Sequence, residues 1–188
     1  MKTPTVPDRL TAARAVLVVI DLQTKFRPNI VDMAGVIATT ERLIQFAQYL
    51  DIPIIVTEHY PQGLGATVPE IRERFAPFTP VEKIDFSCAG SATFTQTLNG
   101  HDRDQVILCG IEAHICVYQT ALDLMRLGKQ VAVATDAVSS CSIANRNIGL
   151  RRLSELGVQS MGFQMLAFEI LAKAGTAEFK DLAALLKE

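Results

Sequence analysis

The feature that most restricts the fold is a series of short, uninterrupted apolar runs spaced along the chain. The first, AVLVVID at 15–21, has no polar residue until its closing acid. A strand with one wet face alternates apolar and polar side chains; a continuous run of this length is the signature of a strand buried on both faces. IPIIVTE (52–58), DQVILCG (104–110) and QVAVATDA (130–137) repeat the pattern, a short strand is expected near 81–85, and VQSMGF (158–163) begins as a sixth.

Helical segments fill the intervals. Residues 33–50 carry apolar positions at Val36, Ile37, Leu43, Ile44, Ala47 and Leu50, a helical period. A helix is expected over 91–98 with Ser91 as its N-cap. Another spans 114–127 and stops at Gly128, and a third spans 145–156 and stops at Gly157, both glycines at the position where helices turn left-handed. Two more, at about 164–173 and 176–187, finish the chain. Strands alternating with helices predict an α/β protein of three layers, a doubly wound, six-stranded parallel sheet of Rossmann-like form with helices on both faces. The 188 residues suit a single domain, with 1–14 as a polar lead-in.

Composition excludes several classes. A net charge of -2 and no basic patch argue against a nucleic-acid partner. No apolar run reaches the roughly 18 residues of a membrane span, and MKTPTVPDRL lacks the apolar core of a secretory signal, so a cytoplasmic protein is expected. The four cysteines, Cys88, Cys109, Cys116 and Cys141, include no CxxC pair. Three of them read as small buried hydrophobes; Cys116 stands apart, because it opens the helix that follows the fourth strand.

In open parallel sheets the ligand site lies beyond the carboxyl ends of the strands. Asp21 ends strand one, Glu58 and His59 end strand two, Lys83 lies on strand three, Cys116 follows strand four and Asp136 ends strand five. An acid, a lysine and a thiol suit one another. A thiol becomes a strong nucleophile on losing its proton, which the positive end of a helix favours. Asp21 could take that proton and return it to a leaving group, Lys83 could balance the charge of the pair, and N–H groups around 112–116 could hold an oxyanion. Plainer readings stand beside these: a structural cysteine, an acid capping a loop, a solvated lysine. A His114–Cys116 dyad is disfavoured, because residues two apart near a helix start point in different directions. His59 alone after strand two does not make a metal site, and Gly63 with Gly65 completes no phosphate-binding fingerprint.

Three segments, VVIDLQTKF with Asp21, EKIDFS with Lys83 and LCGIEAHICVYQTALDL with Cys116, resemble the isochorismatase-like cysteine hydrolases in order and spacing. TEHYPQGLGATVPEI and EFKDLAALLKE extend the similarity toward the isochorismatase domain-containing subgroup. The resemblance implies a triad of Asp21, Lys83 and Cys116, and a cis peptide between Ile111 and Glu112 that turns the Glu112 N–H toward that of Cys116 as an oxyanion hole. It implies hydrolysis of a small amide or related C–N bond through a thioester on Cys116, with no cofactor and no metal, in a homo-oligomer. TEHYPQGLG lacks the Asp-x-His pair of metal-binding nicotinamidases, and isochorismatases proper do not use the cysteine in this way. Phe26, His59, Tyr60, Phe86 and Ile111 are the candidates for shaping the substrate pocket; plain packing is the alternative for each aromatic. The rival to the enzyme is a non-catalytic binding or scaffold protein that keeps the fold.

Overall fold

The computed structural model describes residues 6–187; residues 1–5 of the expected lead-in and residue 188 lie outside the described residues. Six strands, β1 (Ala15–Ile20), β2 (Ile54–His59), β3 (Val81–Lys83), β4 (Gln105–Ile111), β5 (Gln130–Ser139) and β6 (Gln159–Met161), pair in parallel in the order β3-β2-β1-β4-β5-β6. The chain winds outward in one direction from β1 and, after returning, in the other from β4. The topological switch point therefore falls between β1 and β4, where a crevice opens beyond their carboxyl ends.

Every residue of β1 is buried, and alternate side chains serve opposite faces. Ala15, Leu17 and Val19 join the core beneath α1 (Met33–Tyr49), α7 (Phe163–Leu171) and α8 (Ala177–Leu182). Val16, Val18 and Ile20 join the core beneath α4 (Ala92–Gly100), α5 (Tyr118–Arg126) and α6 (Ile143–Glu155). That two-sided burial is why the run could carry no polar residue. Ser91 caps α4 as expected, its Oγ accepting from the Phe94 N–H at 3.3 Å.

Some boundaries differ from the sequence reading. The loop after β2 contains two short helices, α2 (Pro61–Leu64) and α3 (Pro69–Arg72), each begun by a proline that fixes φ at a first helical position. Strand β5 does not end at Asp136. Its register against β4 jumps from Leu108↔Val133 to Gly110↔Val138, and the strand resumes after the irregularity. Asp136 sits in that interruption and turns away, both carboxylate oxygens accepting from the Phe163 N–H at 3.0 and 2.8 Å at the start of α7. Opposite the interruption, Gly110 adopts φ 107, and a Cβ there would lie 2.0 Å from the Ile20 carbonyl oxygen. Only glycine lets β4 approach β1 so closely beside the crevice. Among the described residues no helix is long and apolar enough to cross a membrane.

Candidate active site

Asp21 follows β1 immediately, with left-handed backbone (φ 53). Its carboxylate is pinned from two strands. Oδ1 accepts from Thr57 Oγ1 of β2 at 2.7 Å, and Oδ2 accepts from Lys83 Nζ of β3 at 2.6 Å. The pair is withdrawn from water, with side chains 0% (Lys83) and 1% (Asp21) exposed. Lys83 also donates longer bonds to the Asp85 and Phe86 carbonyls, at 3.3 and 3.4 Å. Burial alone would pull the ammonium pKa down. The Asp21 carboxylate, with the thiols of Cys88 and Cys116 nearby, more than offsets this and holds Lys83 above the ordinary lysine range.

Cys116 comes from the other side of the switch point. It does not open an α-helix. The chain leaves β4 through a cis peptide between Ile111 and Glu112, makes a π-helical turn over Ala113–Val117, and only then enters α5. Helix α6 packs directly on this turn: a Cβ on Gly149 would lie 2.8 Å from the His114 backbone and 2.9 Å from that of Ala113. Gly149 is therefore a close-approach residue that seats the turn carrying the thiol, a role with no signal in a single sequence.

The thiol's electrostatics reverse the expectation of a helix-activated thiolate. Burial first, then the Asp21 charge, push Cys116 up to about 12, while Lys83 pulls the other way without prevailing. The balance thus favours the neutral thiol over the thiolate near the ion pair. Cys88, fully buried, lies beside the same pair; its Sγ is 3.9 Å from Thr57 Oγ1, and burial pushes it up to about 12 as well. Cys109 is buried too, whereas Cys141, expected inside, is exposed on the turn after β5.

Cys116 lines a cavity of about 230 Å³ together with Phe26, His59, Leu64, Phe86, Glu112 and Ile115. Of the five residues expected to shape a substrate pocket, Phe26, His59 and Phe86 line this cavity. Tyr60 does not: its ring lies over Gly63 and it is half exposed. Ile111 does not either, because it is fully buried in the core on the α1 side of the sheet. Leu64 and Ile115 take their places. The His59 ring packs on Phe86 with centroids 5.5 Å apart, and its pKa is lowered, by burial and then by Lys83, which favours the neutral ring. Gln23, absent from the sequence reading, is buried and ties the loop after β2 to the site, with Nε2 donating to the His59 and Gly65 carbonyls at 3.0 and 2.6 Å and Oε1 accepting from the His59 N–H at 2.8 Å. Glu58 is committed to the same loop, accepting from the Thr67 N–H and hydroxyl, each at 2.7 Å. A larger groove, about 510 Å³, lies by Phe75, Phe78 and Val81, but among the described residues no titratable side chain lines it.

His114 has its polar contacts on Ser140 and Glu112. Its Nδ1 lies 3.0 Å from Ser140 Oγ and 3.9 Å from Glu112 Oε2.

Comparison with known proteins agrees with this architecture. Residues 15–164 match the family model described as Isochorismatase domain. Isochorismatase domain-containing protein 2 of Danio rerio is 39% identical over 95% of this chain and 89% of its own length. A secreted isochorismatase effector, Isc1, of Phytophthora sojae is 38% identical over 96% of this chain and 88% of its own. A solved structure described as the MAR1 ribonuclease of Caenorhabditis elegans superposes with a TM-score of 0.89 at 38% identity, covering 95% of this chain and 92% of that one.

Proposed function

The chain belongs to the isochorismatase-domain family, and on that premise we propose that it is a cysteine-dependent hydrolase of a small amide or related C–N bond. One observation carries the reading: the thiol that lines the cavity feels the charges of a Lys–Asp pair held 2.6 Å apart and out of water, although neither partner lines the cavity itself. A buried ion pair is costly to keep and adds little stability over apolar packing. At a crevice beside a thiol, it has chemical use.

In the proposed cycle, Asp21 takes the Cys116 proton as Sγ bonds to the substrate carbonyl carbon, so the thiolate never accumulates. Lys83 balances the charge as the carboxylate changes protonation state. The backbone N–H groups of Glu112 and Cys116 receive the oxyanion. When the C–N bond breaks, Asp21 gives its proton to the departing amine, leaving a thioester. It then takes a proton from the water that attacks the thioester carbonyl and returns it to the Cys116 sulfur as the C–S bond breaks, releasing the acid and restoring the thiol. No step draws on a cofactor. The cavity, smaller than the roughly 300–1,000 Å³ usual for drug-sized ligands, favours a compact substrate, and Phe26, Leu64, Phe86 and Ile115 favour an apolar one.

The name of the C. elegans neighbour raises RNA as a substrate. The described residues lining this cavity include neither lysine nor arginine, and Lys83 is already paired with Asp21, which leaves phosphate no side-chain cation among them. The reading has the protein working in a reducing compartment, in keeping with four free thiols. It also has it assembling with its own copies, in keeping with exposed Ile84, Ile143 and Ile148.

The test is ammonia release from a panel of small amides and ureides, with RNA as a control. Cys116→Ser should bind substrate without turning it over, and Asp21→Asn should lose a factor of about 10² or more. Full turnover by Cys116→Ser would end the covalent scheme. Saturable binding of panel compounds with no turnover by the parent protein would favour the binding module.

A further inference from the structure

We propose that Glu112, His114 and Cys141 form a site for a divalent transition-metal ion of borderline softness, Zn²⁺ being the type. Strand pairing brings the three together. β4 and β5 end in register, Ile111 opposite Ser139, so the turns after them emerge side by side. One supplies a carboxylate and an imidazole two residues apart, and the other supplies the thiol. Their ligand atoms all lie within 4.8 Å of one another, and Glu112 Oε2 is 3.9 Å from His114 Nδ1. Bonds of about 2.0–2.3 Å set tetrahedral donors roughly 3.3–3.8 Å apart. The trio therefore needs to close by about 1 Å, within the reach of side chains at a surface.

The donor set selects the ion. One sulfur, one nitrogen and one oxygen suit Zn²⁺ and its neighbours in the first transition row; Ca²⁺ and Mg²⁺ want oxygen alone. The surroundings are those a metal ligand set needs. Asn145 Nδ2 donates to Cys141 Sγ at 3.3 Å, a bond that strengthens when the sulfur is anionic. The Cys141 N–H donates to Glu112 Oε2 at 2.6 Å, which aims the carboxylate at the thiol. Ser140 Oγ, 3.0 Å from His114 Nδ1, can orient the ring while Nε2 binds or yield Nδ1 to the ion. As the metal–sulfur bond forms, the thiol proton passes to solvent. Three protein donors leave a fourth position for water or an outside ligand.

The proposal does not depend on the hydrolase reading, because none of these three side chains acts in the catalytic cycle. The two meet only at Glu112, whose backbone N–H belongs to the proposed oxyanion hole and whose side chain the ion would hold.

The experiment uses the full chain, stripped with a chelator and then titrated with Co²⁺ as a spectroscopic probe and with Zn²⁺ against a competing chelator. The expected result is one ion per chain, with a sulfur-to-cobalt charge-transfer band and the intense d–d bands of a tetrahedral site. Cys141→Ser should abolish the charge-transfer band. His114→Ala should weaken Zn²⁺ at least about tenfold. Cys116→Ser should keep the band and the affinity, which separates this site from the thiol of the cavity. Cys141 is exposed, so its replacement leaves the core intact. Zn²⁺ binding weaker than on the order of 1 mM, a band that survives in Cys141→Ser, or one lost in Cys116→Ser would overturn the proposal.

Discussion

Lys83→Met tests the buried ion pair directly. Methionine keeps most of the length and the apolar stem of lysine and removes the ammonium, its charge and its N–H donors together. At 2.6 Å and an effective dielectric near 20, the gross attraction between the two charges is about 6 kcal/mol. Most of it repays desolvation, so the intact pair adds little net stability. Removing one partner is different. Asp21, 1% exposed, would be left with Thr57 as its side-chain donor, and the Asp85 and Phe86 carbonyls would lose theirs. Breaking such a pair costs about 3–5 kcal/mol, which for a chain of this size lowers Tm by about 6–20 °C. The double variant Asp21→Asn/Lys83→Met should lose less than Lys83→Met alone, because no uncompensated charge remains. The pH dependence has a definite sign. The Lys83 pKa is raised in the folded state, so its contribution is fully present below the unfolded value of 10.5 and is lost as pH rises through the folded value. Urea unfolding of parent and variant should show a gap that is full near about pH 9 and narrows as pH rises above the unfolded value. A fall in Tm of less than about 2 °C, or a gap that does not narrow above the unfolded value, would refute the reasoning.

Three further outcomes follow from the same geometry. Iodoacetamide should label exposed Cys141 first; in a Cys141→Ser background, peptide mapping should find Cys116, 7% exposed, ahead of Cys88 and Cys109, both 0% exposed, and the reverse order would detach Cys116 from the cavity. Stability should fall above pH 9, because Cys88, Cys109 and Cys116 rise from 9.0 to about 12 on folding: each contribution is present below the unfolded value and lost as pH climbs through the folded one, at about 1.4 kcal/mol per pH unit and thiol. Cys109→Ala should flatten that alkaline slope by about a third in denaturant titrations, and an unchanged slope counts against buried neutral thiols. Gly149→Ala should cost about 1–3 kcal/mol through overpacking against the π-helical turn and reduce turnover with it; a variant as active and stable as the parent would show that α6 does not seat the turn.

The sheet was legible because burial on both faces leaves an unmistakable mark: β1 and β4 have no position at which a polar side chain could reach water. The irregular parts were illegible for equally physical reasons. Asp136 looks like a strand end, because an acid after an apolar run usually marks one, and nothing local says that β5 resumes beyond it. What Asp136 caps is the start of α7, 27 residues away, a partner fixed only by tertiary packing. The π-helical turn after β4 likewise has no composition of its own; it depends on how closely α6 can approach at Gly149.

At the candidate site the same division holds between which residues meet and what their meeting does. Asp21, Lys83 and Cys116 could be picked out because the fold class directs attention to the carboxyl ends of strands. Gln23 and Thr57, which hold the loop and the carboxylate, read as ordinary polar residues until their partners are known. The thiol's electrostatics could not be read at all, since a helix terminus favours the thiolate and burial favours the thiol, and sequence does not weigh one against the other. Burial, then the Asp21 charge, raise the thiol pKa, and this bears on the role proposed for Asp21. An enzyme that stores a thiolate can lose its base and still attack. One that rests as the thiol, as in the proposed cycle, passes its proton to the carboxylate as the C–S bond forms, which asks for the carboxylate at the first step as well as the last. In the proposed cycle Lys83 faces the carboxylate through both of its protonation states, paired with it at 2.6 Å at rest and beside it when it holds the proton in transit.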